Sequence, residues 1–190
     1  MKIHPDIAPV TGRHNESSWG QVIQLPYAYG VVQVVDINNQ ALSLGVSVLG
    51  TITKLLDTKP RSLQELEELV DSVRIDEMVS LILLVPADSV MNIVVRGEGT
   101  VYIKRGGQLA CLVKNSGGIA GEVRIGDTIL LANKAFLQII GASELVGVFD
   151  GLTPAEIGEK LTLMVHEREN GNGAAALVMR IEAFVEETDP

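Results

Sequence analysis

The helical segments of this chain are bunched rather than interleaved with its strands, and that order restricts the fold more than any other feature. Strand-like, β-branched runs come first, "QVIQL" and "YGVVQVVDI". A helical stretch follows, and then "VSLILLVPA", "VMNIVVRGEG", "TVYIKRGGQLACLVK" and "DTILLAN". One more helix precedes the closing "GAAALVMRIEAFV". Blocks of hairpin-linked strands favour an α+β fold over an alternating parallel one, and two sheets with helices on their outer faces satisfy the order. Turns are expected at Pro86-Ala87-Asp88, Gly106-Gly107 and Gly117-Gly118. The Gly106-Gly107 pair is the clearest hairpin signal, because two glycines accept the positive φ of a tight turn.

Two helices carry start signals. Ser62-Leu63-Gln64-Glu65 has capping-box spacing, and Leu63, Leu66, Leu69, Val70 and Val73 form an apolar stripe behind it. Thr153-Pro154-Ala155-Glu156 is a second box with proline at the first helical position, followed by Ile157, Leu161, Met164 and Val165. A third helix is expected over Gln40 to Leu56 with Leu42, Val46, Leu49 and Ile52 or Thr53 inward, although Gly45 and Gly50 weaken it.

With 190 residues, 46% of them hydrophobic, the chain reads as a single domain with its core over about residues 8–186. Its acidic end, "VEETDP", has the composition of a boundary. Cys111 is the only cysteine, which rules out an intrachain disulfide and suits a reducing compartment. Its place in "LACLV" predicts a buried structural thiol. A net charge of −9 argues against general binding to nucleic-acid backbones. Apolar runs such as "SLILLV" stop well short of the ~20 residues that span a bilayer, and no basic start with an apolar run signals export. The expected setting is cytoplasmic.

Chemistry is sought first among carboxylates at strand ends, since Mg²⁺ and Mn²⁺ take oxygen ligands. Asp36 ends "GVVQVVD" ahead of a helix, and Glu16 lies in "RHNESS" near Arg13. An aspartate so placed serves equally as a turn or cap residue. His4, His14 and His166 are scattered without metal spacing. "RGEG" and "KRGG" lack a phosphate-loop pattern, and Asp150-Gly151 precedes a capping box and reads as a loop.

Taken together, five segments in order resemble the metal-dependent protein phosphatase 2C family. Arg13-His14-Asn15-Glu16-Ser17-Ser18 is similar to its opening Arg-x-x-Asn-Glu-Asp-Ser motif with one residue fewer. "VVQVVDINN" resembles the strand ending in Asp-Gly. "VVRGEGTVYIKRGGQL" is similar to an internal hairpin, with Gly97, Tyr102, Arg105, Gly107 and Leu109 agreeing. "IGDTILLANKAF" resembles the Gly-Asp-x-x-Leu-Leu-x-Ser-Asp-Gly-Leu segment, and "GNGAAALVMRI" the final Asp-Asn strand.

The resemblance implies an α-β-β-α sandwich of two antiparallel sheets. About eleven residues separate "ACLV" from "IGD", so the family's flap subdomain would be absent, as in its shorter bacterial stress and sporulation members. It also implies two Mn²⁺ or Mg²⁺ ions that activate water for attack on a phosphoserine or phosphothreonine. Glu16 and Asp36 match two ligand positions, and Arg13 the phosphate-binding one. Elsewhere Ser17 and Ile37 replace an Asp and a Gly, Glu98 replaces the hairpin Asp, and Asn172 falls on the last metal Asp. Asn133-Lys134-Ala135 replaces Ser-Asp-Gly, which puts Lys134 at a ligand position. An ammonium has no lone pair with which to bind a cation. Two readings of Lys134 stand side by side: it fills the space of an ion and pairs with Asp36 or Glu16, or it points to solvent.

The expected function is that of a catalytically inactive, pseudophosphatase domain with a protein partner and no cofactor. The alternatives are a weak Mn²⁺- or Mg²⁺-dependent phosphatase with Glu16, Asp36 and Glu98 around one ion, and an unrelated α+β interaction domain. The sequence names neither the partner nor the oligomeric state.

Overall fold

The computed structural model describes residues 2–73, 78–168 and 172–185; the boundary composition past Val185 lies outside them. Two antiparallel sheets of five strands pack face to face. The first has the order β1-β10-β9-β6-β7, built from Lys2–Thr11, Ala175–Val185, Thr128–Asn133, Gly99–Arg105 and Gln108–Lys114. The second has the order β2-β3-β4-β5-β8, from Ser18–Leu25, Ala28–Val35, Val79–Ala87, Val90–Arg96 and Gly117–Glu122. Helices α1 (Ala41–Leu56) and α2 (Leu63–Ser72) cover the second sheet, and α3 (Lys134–Ile139), α4 (Ala142–Val148) and α5 (Pro154–Arg168) the first.

Three apolar layers hold this stack. Residues such as Val31, Ile82, Ile93, Leu131 and Leu177 fill the space between the sheets. Val32, Leu81, Leu83 and Val94, on the alternate faces of their strands, pack against Ile52, Leu56, Leu66 and Val70. Leu130, Ala176 and Val178 meet Phe136, Ile157, Leu161 and Val165. Central strands are therefore buried on both faces, which is why they read as unbroken apolar runs. No helix among the described residues is long and apolar enough to cross a membrane.

Both capping boxes form. Ser62 accepts from the Glu65 amide, while Glu65 reaches back to the amide of Arg61, one residue before the cap. Thr153 and Glu156 bond reciprocally in the usual way. Gly106 and Gly107 make the β6–β7 turn with φ of 56° and 81°. β7 and β8 are joined through Asn115 and Ser116 alone, so no flap intervenes.

Several expectations are corrected. Gly117 and Gly118 open β8 and are not a turn; the turn falls on Asn115, with φ 60°. β1 was not foreseen, because Pro5 and Pro9 interrupt its pattern; both are tolerated on an edge strand. The short helices α3 and α4 were also not foreseen. Helix α1 forms, but its inward stripe is Ala41, Gly45, Ile52 and Leu56, and Leu42 and Val46 are 50% and 58% exposed. Gly45 sets that rotation, since a Cβ there would stand 2.1 Å from the Trp19 ring. Cys111 is exposed, not buried. It lies on β7, the sheet edge beyond the reach of α5, which packs on β1 and β10.

Candidate functional site

The residues singled out by sequence gather at one end of the sandwich, contributed by loop 12–17, the end of β3, the β5–β6 turn, the β9–α3 junction and the start of β10. Backbone bonds tie these pieces together. The Asp36 amide donates to the Ser17 carbonyl (2.8 Å), and the Ala41 amide to that of Glu16 (3.1 Å). Gly173 donates to the Arg13 carbonyl (3.0 Å), and the Ser18 hydroxyl to the Asn172 carbonyl (2.6 Å). Gly20 and Gly173 touch so closely that a Cβ on Gly20 would lie 1.9 Å from the Gly173 oxygen.

Asp36 is 1% exposed, and its carboxylate is spent on the chain leading into α1. One oxygen accepts from the Asn38 amide at 3.0 Å and from its side chain at 3.3 Å; the other accepts from the Gln40 amide at 3.0 Å. That is the turn-and-cap role an aspartate takes ahead of a helix. Glu16, Arg13 and His14 are exposed, and Ile37 is 90% exposed.

Lys134 pairs with neither Asp36 nor Glu16. Its ammonium sits 2.6 and 2.8 Å from the two carboxylate oxygens of Glu98, across from the β5–β6 turn. The turn is fixed by the Ser80 hydroxyl, which accepts from the Glu98 amide (3.0 Å), and by Gly97, whose φ of 76° admits no Cβ. Both partners of the ion pair are about half exposed, so Lys134 neither points away into solvent nor enters the interior.

Asn133 is the residue that sequence reasoning undervalued. It is 2% exposed and makes three bonds. Its side-chain oxygen accepts from Phe136 (2.8 Å), capping α3, and from the amide of Ala175 (3.1 Å), while its amide donates to the Gly173 carbonyl (2.9 Å). An asparagine ahead of "KAFLQ" is an N-cap signal that could have revealed both the helix and this junction. Gln33, 6% exposed, joins the sheets by accepting from the Ala135 amide at 3.4 Å. The Asn172 side-chain oxygen is buried and has no hydrogen-bond partner among the described residues.

Asp150, which reads as a loop residue, pairs with Lys104. His166 contacts the Thr11 carbonyl (3.2 Å).

No protein-family model matches the sequence, and no curated protein does either. Solved structures do match. The chain is similar to the catalytic domain of the serine/threonine protein phosphatase PstP, solved with two manganese ions: TM-score 0.76, 14% identity, 94% of this chain and 99% of that one. It is similar to PppA, a regulatory component of the type VI secretion system in Pseudomonas aeruginosa: TM-score 0.71, 17% identity, 94% and 98% coverage. It also matches the phosphatase MsPP from Mycobacterium smegmatis, in complex with cacodylate: TM-score 0.68, 12% identity, 96% and 99% coverage. The fold is thus that of phosphatase 2C domains, as the motif order implied, and the reading as an unrelated α+β domain is set aside.

Proposed function

We propose that this is a catalytically inactive phosphatase 2C-like domain that works as a regulatory or protein-binding module. The observation that carries the reading is the Lys134–Glu98 pair, with an ammonium at the position where the resemblance puts a metal-ligating aspartate. A cation at 4 Å from an ammonium is repelled by about 4 kcal/mol per unit-charge pair at an effective dielectric near 20, and a dication by twice that. The other donors do little to offset it. Asp36 already serves three N–H groups, Glu98 is held by Lys134, and Asn172 is neutral. This donor set does not fit two divalent ions. A binding role is supported by Ile37, Leu42 and Val46, which leave apolar side chains exposed at the same end.

One observation favours the weak-enzyme reading: the Asn172 oxygen, buried and without a partner among the described residues, lies at this end with Glu16 and Asp36 and is an acceptor of the kind a single ion could use. Calorimetric titration with Mn²⁺ and with Mg²⁺ separates the two. The expected result is no saturable binding near neutral pH for the native chain, and recovered binding in the Lys134→Asp/Asn172→Asp double variant. Tight binding of two ions by the native chain would overturn the proposal. Metal-dependent turnover of a phosphopeptide, abolished by Asp36→Ala, would establish the alternative.

A further inference from the structure

Helix α1 is composed like a core helix, yet one of its flanks stands in water. Lys54 is the only charged residue among its 16, on a chain in which 21% of residues are charged. Its neighbour α2 carries four carboxylates, Glu65, Glu67, Glu68 and Asp71, in 10 residues. Ala41, Gly45, Ile52 and Leu56 of α1 are buried, and Leu44, Val48 and Leu55 pack beside them. Leu42, Val46, Leu49 and Thr53 recur at helical spacing and form a second stripe on the adjoining flank. Leu42 and Val46 are exposed, as is Ile37 in the turn leading into the helix. The other outer residues, Ser43, Ser47, Gly50 and Thr51, are small and uncharged, and a Cβ on Gly50 would meet nothing. Another backbone can therefore come close to this flank.

The charges at the two ends of the stripe are opposite in sign and uncommitted. The Ala41 amide donates to the Glu16 carbonyl at 3.1 Å, which fixes Glu16 at the start of α1. Lys54 stands near the far end, roughly 20 Å along the axis from Ala41. Both side chains are exposed, and neither has a hydrogen-bond or ion-pair partner among the described residues. The charges next to them are occupied: Asp36 by its own turn, Asp57 by the Tyr27 hydroxyl, and Lys59 by the Tyr27 ring. A strip with a free anion at one end and a free cation at the other complements itself when two copies run antiparallel.

We propose that α1 docks on the α1 of a second copy of this chain, antiparallel about a two-fold axis near the middle of the helix. Lys54 of each copy then meets the partner's Glu16, and Leu42, Val46 and Leu49 are covered. This deepens the binding reading above by naming the partner. An uncharged strip is also where two chains of −9 can meet without repulsion. α1 packs on β2 and β3 and α2 on β5 and β8, so a copy arriving across the β2 edge leaves both acidic α2 helices on the outside. A lipid surface fits less well, because α2 shares the face with α1 and its carboxylates would oppose anionic headgroups. One helix flank buries less than the ~800 Å² per partner of a standard interface, so a dissociation constant in the micromolar range is expected.

Sedimentation velocity of the full chain over a concentration series tests this. The native protein is expected to pass from monomer to dimer in the micromolar range. Val46→Glu, at an exposed position, should weaken association at least about tenfold. Lys54→Glu or Glu16→Lys alone should weaken it about threefold to tenfold, since each breaks two symmetric pairs. The double variant Lys54→Glu/Glu16→Lys restores the pairs with signs exchanged and should recover native association. Melting curves establish that each variant is folded. A native chain that stays monomeric at sub-millimolar concentration, a dimer indifferent to Val46→Glu, or a double variant no better than its parents would overturn the proposal. So would a monomer that sediments with phosphatidylglycerol vesicles and loses them on Val46→Glu. The Mn²⁺ titration is read separately, so a missing dimer and a working metal site are told apart.

Discussion

Asp36 and Asp127 are both buried, at 1% and 2% exposure, and they stand at opposite ends of the sandwich in two of the motifs through which the chain resembles a phosphatase. Their surroundings differ. Asp127 takes a two-point grip from Arg105, at 2.8 and 2.6 Å, and a third bond from the Arg124 amide at 2.7 Å. Burial pushes its pKa up, but the Arg105 hydrogen bonds, the Arg124 amide and the nearby cations outweigh that and hold it below the usual carboxylate value. Arg105 in turn donates to the Glu122 carbonyl, so one guanidinium pins the β6–β7 hairpin to the entry of β9. Asp36 accepts only N–H groups of its own turn, from Asn38 and Gln40. One motif keeps an architectural charge pair; the other keeps a carboxylate whose bonds serve local chain geometry.

The largest expected effect is therefore at Asp127. Asp127→Ala leaves Arg105 and the Arg124 amide without their acceptor and should cost about 3 kcal/mol in urea unfolding. Acid gives the same contrast a sign. Because the folded pKa is lowered, the stability that Asp127 contributes is complete above the unfolded carboxylate value. It is lost as pH falls through the folded one. The gap between native and variant should thus be constant near neutrality and close below about pH 4. A gap that widened in acid would break the comparison.

Asp36→Ala should cost less, about 1–2 kcal/mol, the worth of a lost helix-entry cap. A loss as large as that at Asp127 would mean that Asp36 holds more than its own turn. Within α1, two glycines sharpen the point about local and tertiary control. Gly45→Ala forces a methyl into the Trp19 ring and should destabilise by about 1–2 kcal/mol. Gly50→Ala meets nothing within 4 Å and should stabilise by about 0.5–1 kcal/mol through helix propensity.

The same glycine marks where sequence reading stopped. Periodicity placed α1 within a residue of its start and put Ile52 inward correctly, yet it turned Leu42 and Val46 inward as well, because the first turns are set by a ring on another element fitting against Gly45. Strand β4 was legible end to end, as were both capping boxes and the Gly106-Gly107 turn, since each is written in contiguous residues. The edge strands β1 and β8 were not, because prolines and glycines carry no apolar alternation. The exposure of Cys111 depends on how far α5 reaches across the sheet, which no local pattern records. At the candidate site, motif order picked out residues that gather at one end of the sandwich, and the substitution at Lys134. Its partner could not be read, because Glu98 comes from a turn 36 positions away, brought close only by the pairing of β6 with β9.

The smallest expected effect is at that pair. Lys134 and Glu98 are 49% and 58% exposed, so water screens them, and ordering two long side chains offsets much of the attraction. A double-mutant cycle with Lys134→Met and Glu98→Gln should give a coupling below about 1 kcal/mol. Raised salt should shrink it further. A coupling of several kcal/mol would mean a desolvated pair that holds the β5–β6 turn against α3, and would turn the ammonium into a structural element. Under the smaller value its main effect is electrostatic, placing one positive charge at the end where Asp36 and Glu16 remain. Lys134→Met then keeps the fold, removes the repulsion and releases the Glu98 carboxylate, so its Mn²⁺ titration shows what Glu98, Asp36 and Glu16 can hold together.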